Sequence, residues 1–310
     1  MPSQTLAEAK KFINDDIVAG VVADIITINP IFSLLPFDGY SGQAILVNRE
    51  EALGDADFYT VDATITSKNP ATYNQATYTS TKLIGDVEMD GLVQAQSTSA
   101  GVDQTALEIS SKAKSIGRKF QQGMATGTGT IPQMYSLHSL CDSEQYTKAS
   151  DGHTLSFELL DELCDLVKAK DGVVDWIMMS PRTMRSYKAL LRSMGGATPD
   201  WTITLPDGRI TIGYEGIPIF KNEYLPVSET ANGAALTGGA LTSVWAGCFD
   251  DGTRRIGIAG IHPDTVPAGV VVEPVGAMEN KDSTLIRVKQ YANFVSFNRR
   301  GLARLTSISN

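Results

Sequence analysis

At 310 residues the chain exceeds what a single hydrophobic core usually organises, so two domains or one elaborated domain are expected. Hydrophobic content of 42% with 20% charged residues is that of a folded soluble protein. Twenty-six basic against 35 acidic side chains give a formal net charge of −9, which excludes a generally basic, phosphate-neutralising surface but leaves room for a local basic face near nucleic acid.

Cys141, Cys164 and Cys248 show no CxxC spacing, and their odd count argues against a disulfide framework and for free thiols in a reducing cytoplasm. The apolar run over 17–28 is interrupted by Asp24 and falls short of the ~18 residues a membrane span needs. Asp15 and Asp16 separate it from Lys10 and Lys11, and no small-residue cleavage site follows, so it is not read as a secretory signal.

In chain order, residues 3–28 predict an amphipathic helix. Leu6, Ile13, Ile17, Val21 and Ile25 share a face, and Asn29-Pro30 ends it. Such a terminal helix docks on its own domain or reaches a neighbour, and the sequence leaves both open. Residues 37–55 hold a strand, Ala44-Ile45-Leu46-Val47, and an acidic loop. Residues 58–68 alternate, with Val61, Ala63 and Ile65 on one face and Thr60, Asp62, Thr64 and Thr66 on the other. Residues 72–82 have strand propensity without a strongly apolar face, and Asn69-Pro70 separates the two. This pattern predicts a long two-stranded arm carrying Phe58, Val61, Ile65, Lys68, Tyr73 and Tyr78. A lone ribbon buries too little apolar surface to be stable in water. It must lie on a partner subunit or on the chain's own body.

Residues 83–96 read as a second strand or short helix. Residues 103–124 predict a long helix with Ile109, Ala113, Ile116 and Phe120 on one face. Gly127 and Gly129 end it, and Pro132 bars continuation. Residues 134–146 are irregular. Leu155, Leu159, Leu160, Leu163 and Val167 form the core stripe of a further helix, capped by Thr154 or Ser156 and stopped by Asp171-Gly172. Residues 173–179 read as a buried strand. Ser180-Pro181 opens the next helix, which runs to about Met194. Asp207-Gly208 marks a hairpin between Ile203 and Ile210. Residues 214–220, with Gly216-Ile217-Pro218-Ile219, suit an edge strand. Residues 226–243 read as a loop. Strands follow over 244–249, 255–261, 270–272, 284–298 and 302–308.

Chemistry-bearing patterns are missing from the sequence. His138, His153 and His262 are far apart and fit loop or surface positions, with no HExxH or Cys-His metal spacing. No GxSxG elbow occurs. Gly127-Thr128-Gly129-Thr130 lacks the Lys-Ser/Thr pair of a phosphate loop and follows a helix instead of opening one. Asp250-Asp251-Gly252 reads as a turn, and Asp161, Glu162 and Asp165 as a solvated helix face. The doublets Arg254-Arg255 and Arg299-Arg300 lack interleaved aromatics and fit subunit salt bridges as well as nucleic acid. No catalytic, cofactor-binding or metal-ligating residue is assigned, which raises structural and assembly functions above enzymatic ones.

The order of parts from about residue 30 to the end resembles the major capsid protein family of tailed bacteriophages, whose fold is shared with encapsulin shells. The polar hairpin over 58–82 stands where that family has its extended loop. The helix over 103–124 with Thr126-Gly127-Thr128-Gly129 resembles its spine helix and glycine-rich exit. Trp176-Ile177-Met178-Met179-Ser180-Pro181-Arg182-Thr183 resembles the strand-to-helix step of its axial domain. Gly216-Ile217-Pro218-Ile219 and Trp245-Ala246-Gly247-Cys248-Phe249 resemble its sheet segments.

The resemblance implies an α+β fold with an N-terminal arm over 1–36 and an extended hairpin loop over 37–82. It further implies a peripheral domain with the spine helix over 83–150, an axial domain over 151–268 and a return into the peripheral domain over 269–310. It implies a non-enzymatic shell subunit, without cofactor, that assembles through hexamers and pentamers into an icosahedral head. The hairpin reaches over a neighbour, and Ile13, Ile17 and Val21 tie subunits together. Implied partners are further copies of the chain, portal, scaffold and decoration proteins, and double-stranded DNA held on the inner face without sequence specificity, with no membrane. The implied location is the virion, assembled in the host cytoplasm. Some relatives cross-link a hairpin lysine to an asparagine of another subunit. Lys68 is the hairpin lysine here, with Asn280, Asn293 or Asn298 opposite, and nothing in the sequence marks the required glutamate. The alternatives are an encapsulin-type compartment binding a cargo peptide, and an enzyme of an unrecognised two-domain fold using a histidine of strongly shifted pKa in a deep cleft.

Overall fold

The computed structural model describes residues 31–99, 104–193, 202–206, 208 and 210–309. The helix expected over 3–28, with Ile13, Ile17 and Val21, lies outside them. Two sheets and a separate ribbon carry the architecture. After a single turn of helix, α1 (Ile31–Leu34), the chain forms β1 (Phe37–Tyr40), β2 (Ile45–Ala52), β3 (Thr72–Tyr78) and β4 (Thr81–Asp90). Two helices follow, α2 (Gly91–Ser99) and α3 (Gln104–Thr126), and then a short α4 (Leu137–Leu140). Next come β5 (Tyr146–His153), α5 (Phe157–Leu166), β6 (Trp176–Met179), α6 (Pro181–Ser193), β7 (Thr202–Thr204), β8 (Ile210–Tyr214) and β9 (Ile217–Lys221). The chain ends in β10 (Thr242–Gly247), β11 (Ile258–Pro263), β12 (Val271–Ala277), β13 (Ser283–Ser296) and β14 (Leu302–Ile308).

The first sheet is built around β13. Its N-terminal ten residues pair antiparallel with β4, from Ser283↔Asp90 to Ala292↔Thr81, and β12 pairs with the same stretch. Its C-terminal end pairs with β11, which takes β1 alongside in parallel. On β4 burial alternates, so Val87 and Met89 turn inward and Asp86 and Glu88 outward. The helix α3 lies over this inward face. Its 23 residues are roughly 35 Å long. Ile109, Ala113, Ile116, Phe120 and Met124 are all buried, and the Phe120 ring meets Phe294 of β13 at 5.1 Å. Outward, Arg287 pairs with Asp86 and Lys281 with Glu88.

The end of α3 is a helix cap. The Gly127 N–H donates to Gly123 O at 2.8 Å, and a Cβ on Gly127 would overlap the Met134 carbonyl. The Ser136 hydroxyl donates to Gly127 O while capping α4 through the Ser139 N–H. These donors and acceptors are spent on the joint, so the Gly-Thr repeat forms the turn that ends α3.

The second sheet runs β5-β14-β10-β6-β9-β8-β7. Its central strands β6, β10 and β14 are buried along their whole length, which explains the unbroken apolar run Trp176-Ile177-Met178-Met179. Ile177 and Met179 face α5 and α6, whereas Trp176 and Met178 face the other layer. Ser180 Oγ caps α6 through the Thr183 N–H at 3.2 Å, and Ser156 caps α5. The α5 helix stops at Leu166, short of Asp171-Gly172, which instead close a separate 3-10 turn.

The two sheets divide the chain differently from its linear order. β11 joins the first sheet beside β13, and β14 crosses into the second between β5 and β10. The 214–220 segment is also not an edge. β9 lies between β6 and β8, and β7 takes the outer place. Pro218 is tolerated because the parallel pairing with β6 begins one residue later, at Ile219.

Candidate assembly surfaces

Among the described residues the ribbon β2–β3 forms a sheet of its own, hydrogen-bonded to neither larger sheet, and it differs from the expected arm. β3 pairs with β2, from Ile45↔Tyr78 to Ala52↔Thr72, and not with residues 58–68. Those residues form no strand. A turn from Thr60 to Ala63, with Asp62 at φ 67°, breaks the alternating run before it can find a ladder. The arm therefore consists of a ribbon from Ile45 to Tyr78 with a tip over residues 53–71.

The base of the ribbon is clamped. Arg49 Nη2 donates to the Tyr78 hydroxyl at 2.5 Å and to Ser296 O, and its Nε donates to Phe297 O at 3.2 Å. Its guanidinium lies 5.7 Å from the Tyr78 ring centre, and Tyr78 meets Tyr135 edge-on at 5.1 Å. Val47 and Tyr78 join Tyr40, Ala259, Ile261, Val295 and Phe297 in a third core cluster. Burial pushes the Tyr78 hydroxyl up from its ordinary value. Tyr78 is thus a root of the arm within its own chain, packed into the third core cluster.

The tip is held by polar bonds. The Tyr59 hydroxyl donates to Ser67 Oγ at 2.7 Å and accepts the N–H groups of Thr66 and Ser67. These bonds, led by that to the Ser67 side chain, pull the phenol down to about 8. The Asp55 N–H donates to Asn69 O at 3.1 Å. Among the described residues the apolar side chains of the tip meet no core cluster. Phe58 is 101% exposed and Val61 95%, and Leu53, Ile65 and Tyr73 are exposed too, as is Lys68. Of the asparagines facing a cross-link, Asn293 is committed. It is buried, its side-chain amide donates to Thr79 O, and its oxygen accepts from the Tyr135 N–H.

Beneath the arm runs an open, polar groove of about 580 Å³, lined by residues that include Arg49, Glu51, Asp142, Lys168, Arg299 and Arg300. Arg299 pairs here with Asp142 and Glu51, and Arg254 pairs with Asp38 at 3.1 Å. One arginine of each doublet is thus spent inside the chain.

A buried charged cluster lies on the layer of the second sheet opposite α5 and α6. Arg304 is 0% exposed and Glu229 1%. Arg304 Nη2 donates to Glu229 at 3.0 Å, Nε to Ser243 Oγ at 3.0 Å, and Nη1 to His138 Nδ1 at 2.7 Å. Its guanidinium lies against Trp245 and Tyr146, 5.0 and 5.3 Å from their ring centres. Burial raises the Glu229 carboxyl against the opposing pull of Arg304. Burial, reinforced by the Arg304 charge, lowers His138 to about 4. His138 is therefore neither a loop nor a free surface histidine. It does not line the groove, and its shifted pKa belongs to a closed structural network. The sequence carried one signal for this cluster, an arginine inside the apolar run Leu302-Ala303-Arg304-Leu305.

Cys141 and Cys248 are buried, and burial raises all three thiols, Cys164 to about 12 and Cys248 to about 11. Among the described residues no helix is long and apolar enough to cross a membrane.

The architecture recurs in solved shells. The chain is similar to a chain of the holo-SrpI encapsulin complex from Synechococcus elongatus PCC 7942, with a TM-score of 0.66 over 90% of this chain and 86% of that one at 17% identity. It is similar to a chain of the cyanophage A-1(L) capsid asymmetric unit, with a TM-score of 0.68 over 91% of this chain and 93% of that one at 12% identity. A chain in the capsid of Myoviridae phage XM1 gives 0.55 over 90% and 91% at 12% identity. No protein-family model and no curated protein matches the sequence. The fold is that of tailed-phage major capsid proteins and encapsulin shells.

Proposed function

We propose that this chain is a structural subunit that self-assembles into a closed shell, and specifically that the shell is the DNA-containing icosahedral head of a tailed bacteriophage. The observation that carries the reading is the arm. A ribbon clamped at its base presents Phe58, Val61 and Ile65 at a tip where, among the described residues, no core cluster takes them in. Exposed apolar groups at the end of an ordered projection are stabilised by burial against another molecule. In a shell of identical copies each arm finds the same receiving surface, and many weak contacts add through closed symmetry.

In this reading the first sheet with α3 is the peripheral domain, and the second sheet with α5 and α6 is the axial domain near the five- and six-fold axes. Leu53, Phe58, Val61, Ile65, Lys68 and Tyr73 contact a neighbour, and Ile13, Ile17 and Val21 tie subunits together near the N-terminus. Portal, scaffold and decoration proteins complete the particle, which is assembled in the host cytoplasm. The reading assigns the chain no catalytic activity. An encapsulin-type compartment is the second reading, supported by the likeness to the Synechococcus elongatus complex.

Electron microscopy of the purified chain tests the shared part. Hexameric and pentameric rings or uniform shells are expected, and a strictly monomeric protein at high concentration overturns it. Nuclease treatment of particles from the native source separates the two readings. Protected double-stranded DNA supports the phage head, and particles holding only protein support the compartment.

A further inference from the structure

We infer that α5 and α6 form the two halves of a head-to-tail contact between copies of this chain, with the acidic face of α5 in one copy set against the basic face of α6 in the next. The inference rests on the shell-subunit reading and names a surface and a partner within it. Charge is fully segregated between the helices. α5 carries Glu158, Asp161, Glu162 and Asp165 and no cation. α6 carries Arg182, Arg185, Lys188 and Arg192 and no anion.

Two of these groups are used at home. Asp161 accepts a hydrogen bond from the Tyr214 hydroxyl, and Arg182 donates to Ala240 O at 2.9 Å. Glu158, Glu162, Asp165, Arg185, Lys188 and Arg192 are exposed. None of the six enters an ion pair among the described residues.

This arrangement is unfavourable in a lone subunit. Glu158 and Glu162 are four apart, Glu162 and Asp165 three apart, and Lys188 and Arg192 four apart, so each helix sets like charges side by side. Asp165 in the last turn of α5 and Arg182 in the first turn of α6 oppose the helix dipoles, whereas Glu158 in the first turn of α5 and Arg192 in the last turn of α6 favour them, so the cost lies in the like-charge neighbours. The helices share one face of the second sheet, where Phe157 lies 6.1 Å from Tyr187, yet no ion pair joins them. They sit over different strands. α5 packs on β5, β14 and β10, whereas α6 packs on β6 and sends the Tyr187 hydroxyl to Gly213 O of β8.

One chain therefore carries two patches of opposite sign at two places. Two different patches of one chain that complement each other define a heterologous contact, which closes into a ring when the rotation between copies allows it. Charge complementarity selects a second copy as the occupant. It also predicts association that is steered electrostatically and weakened by salt.

The test compares the wild-type chain with three variants by sedimentation and electron microscopy, with far-ultraviolet circular dichroism to confirm folding. The first carries Arg185→Glu, Lys188→Glu and Arg192→Glu, the second carries Glu158→Lys, Glu162→Lys and Asp165→Lys, and the third carries all six. Each helix reversal alone is expected to reduce ring formation at least tenfold. The six-fold swap is expected to restore it. Mixing the two single-helix variants restores even-membered rings, which keeps the test decisive if the six-fold variant misfolds. Wild-type rings that are indifferent to either reversal, or a loss that neither swap nor mixing repairs, overturns the inference while leaving the shell reading intact. A wild-type chain that never assembles overturns both.

Discussion

Arg304 lies in the middle of β14, and its guanidinium donates to the loop residue Glu229, to Ser243 on β10 and to His138 on α4. Removing one partner of a buried pair strands the other charge in a medium that cannot solvate it. Arg304→Met is expected to lower unfolding stability by about 3–5 kcal/mol. Adding Glu229→Gln should recover part of that loss, because the stranded carboxylate is gone. Denaturant titration of the single and double variants measures both, and strictly additive losses would mean the two side chains are not coupled. His138 supplies a pH dependence of its own. Its folded value of about 4 lies below the ordinary 6.5 of the unfolded chain. As pH falls, the unfolded chain takes up the proton first, so stability present above 6.5 is lost progressively between 6.5 and 4. The ring is half-buried, so solvent screens part of the effect. The raised Glu229 carboxyl works in the opposite sense. Comparing thermal unfolding of the wild type with His138→Gln isolates the imidazole. The variant is expected to lose less stability from pH 7 to pH 4.5, and parallel pH curves would remove His138 from the account. The partners of this arginine lie 61 to 166 residues away in sequence, which is why its placement was legible and its network was not.

At the scale of elements, local periodicity served well where one face of one element decides its packing. The stripe Ile109, Ala113, Ile116 and Phe120 specifies both the existence of α3 and the side it buries. Phe120→Ala should therefore cost about 3–5 kcal/mol, because the ring sits against Phe294 in a core that cannot collapse freely around the gap. Chemical denaturation checks this, and a loss below about 1 kcal/mol would mean that α3 is not locked onto the sheet. Strand pairing was less legible, because a ladder is a relation between two stretches. The alternation over 58–68 is genuine in the sequence, but residues 45–52 offered β3 a better partner with Val47 facing the core. Likewise, Pro218 marked an edge only until the staggered start of the β6–β9 pairing exempted it. The arm's autonomy gives a further prediction. Replacing residues 53–71 by a two-residue turn should leave the thermal midpoint of the isolated subunit nearly unchanged, since Arg49 and Tyr78 hold the ribbon from below. A subunit that no longer folds after this replacement would show that the tip is part of the core.

For the whole molecule, the apolar side chains of the tip pack on none of the described residues' core clusters, and their proposed use lies in an assembly. The fold class was legible because the order of parts survives even where pairings were misassigned, whereas the proposed use of the tip rests on contacts between copies, which one sequence does not display. Phe58 and Val61 make the case quantitative. Both are almost fully exposed in the lone subunit, so Phe58→Ser with Val61→Ser should leave monomer unfolding unchanged. In the proposed particle each copy would give one tip and receive one, so one pair of side chains would be buried per subunit. Burying a large apolar side chain contributes about 1.5–3 kcal/mol, so the pair contributes about 3 kcal/mol at the lower bound. Each 1.4 kcal/mol is about a tenfold change in an equilibrium constant. The critical concentration for assembly should therefore rise about a hundredfold in the double variant, and the thermal stabilisation that wild-type subunits gain with increasing concentration should shift upward by the same factor. Light scattering across a concentration series reads the first quantity, and calorimetry of the same samples reads the second. An unchanged critical concentration would mean that the tip remains in solvent in the assembled state, and the arm would then lose its place as the element that joins subunits.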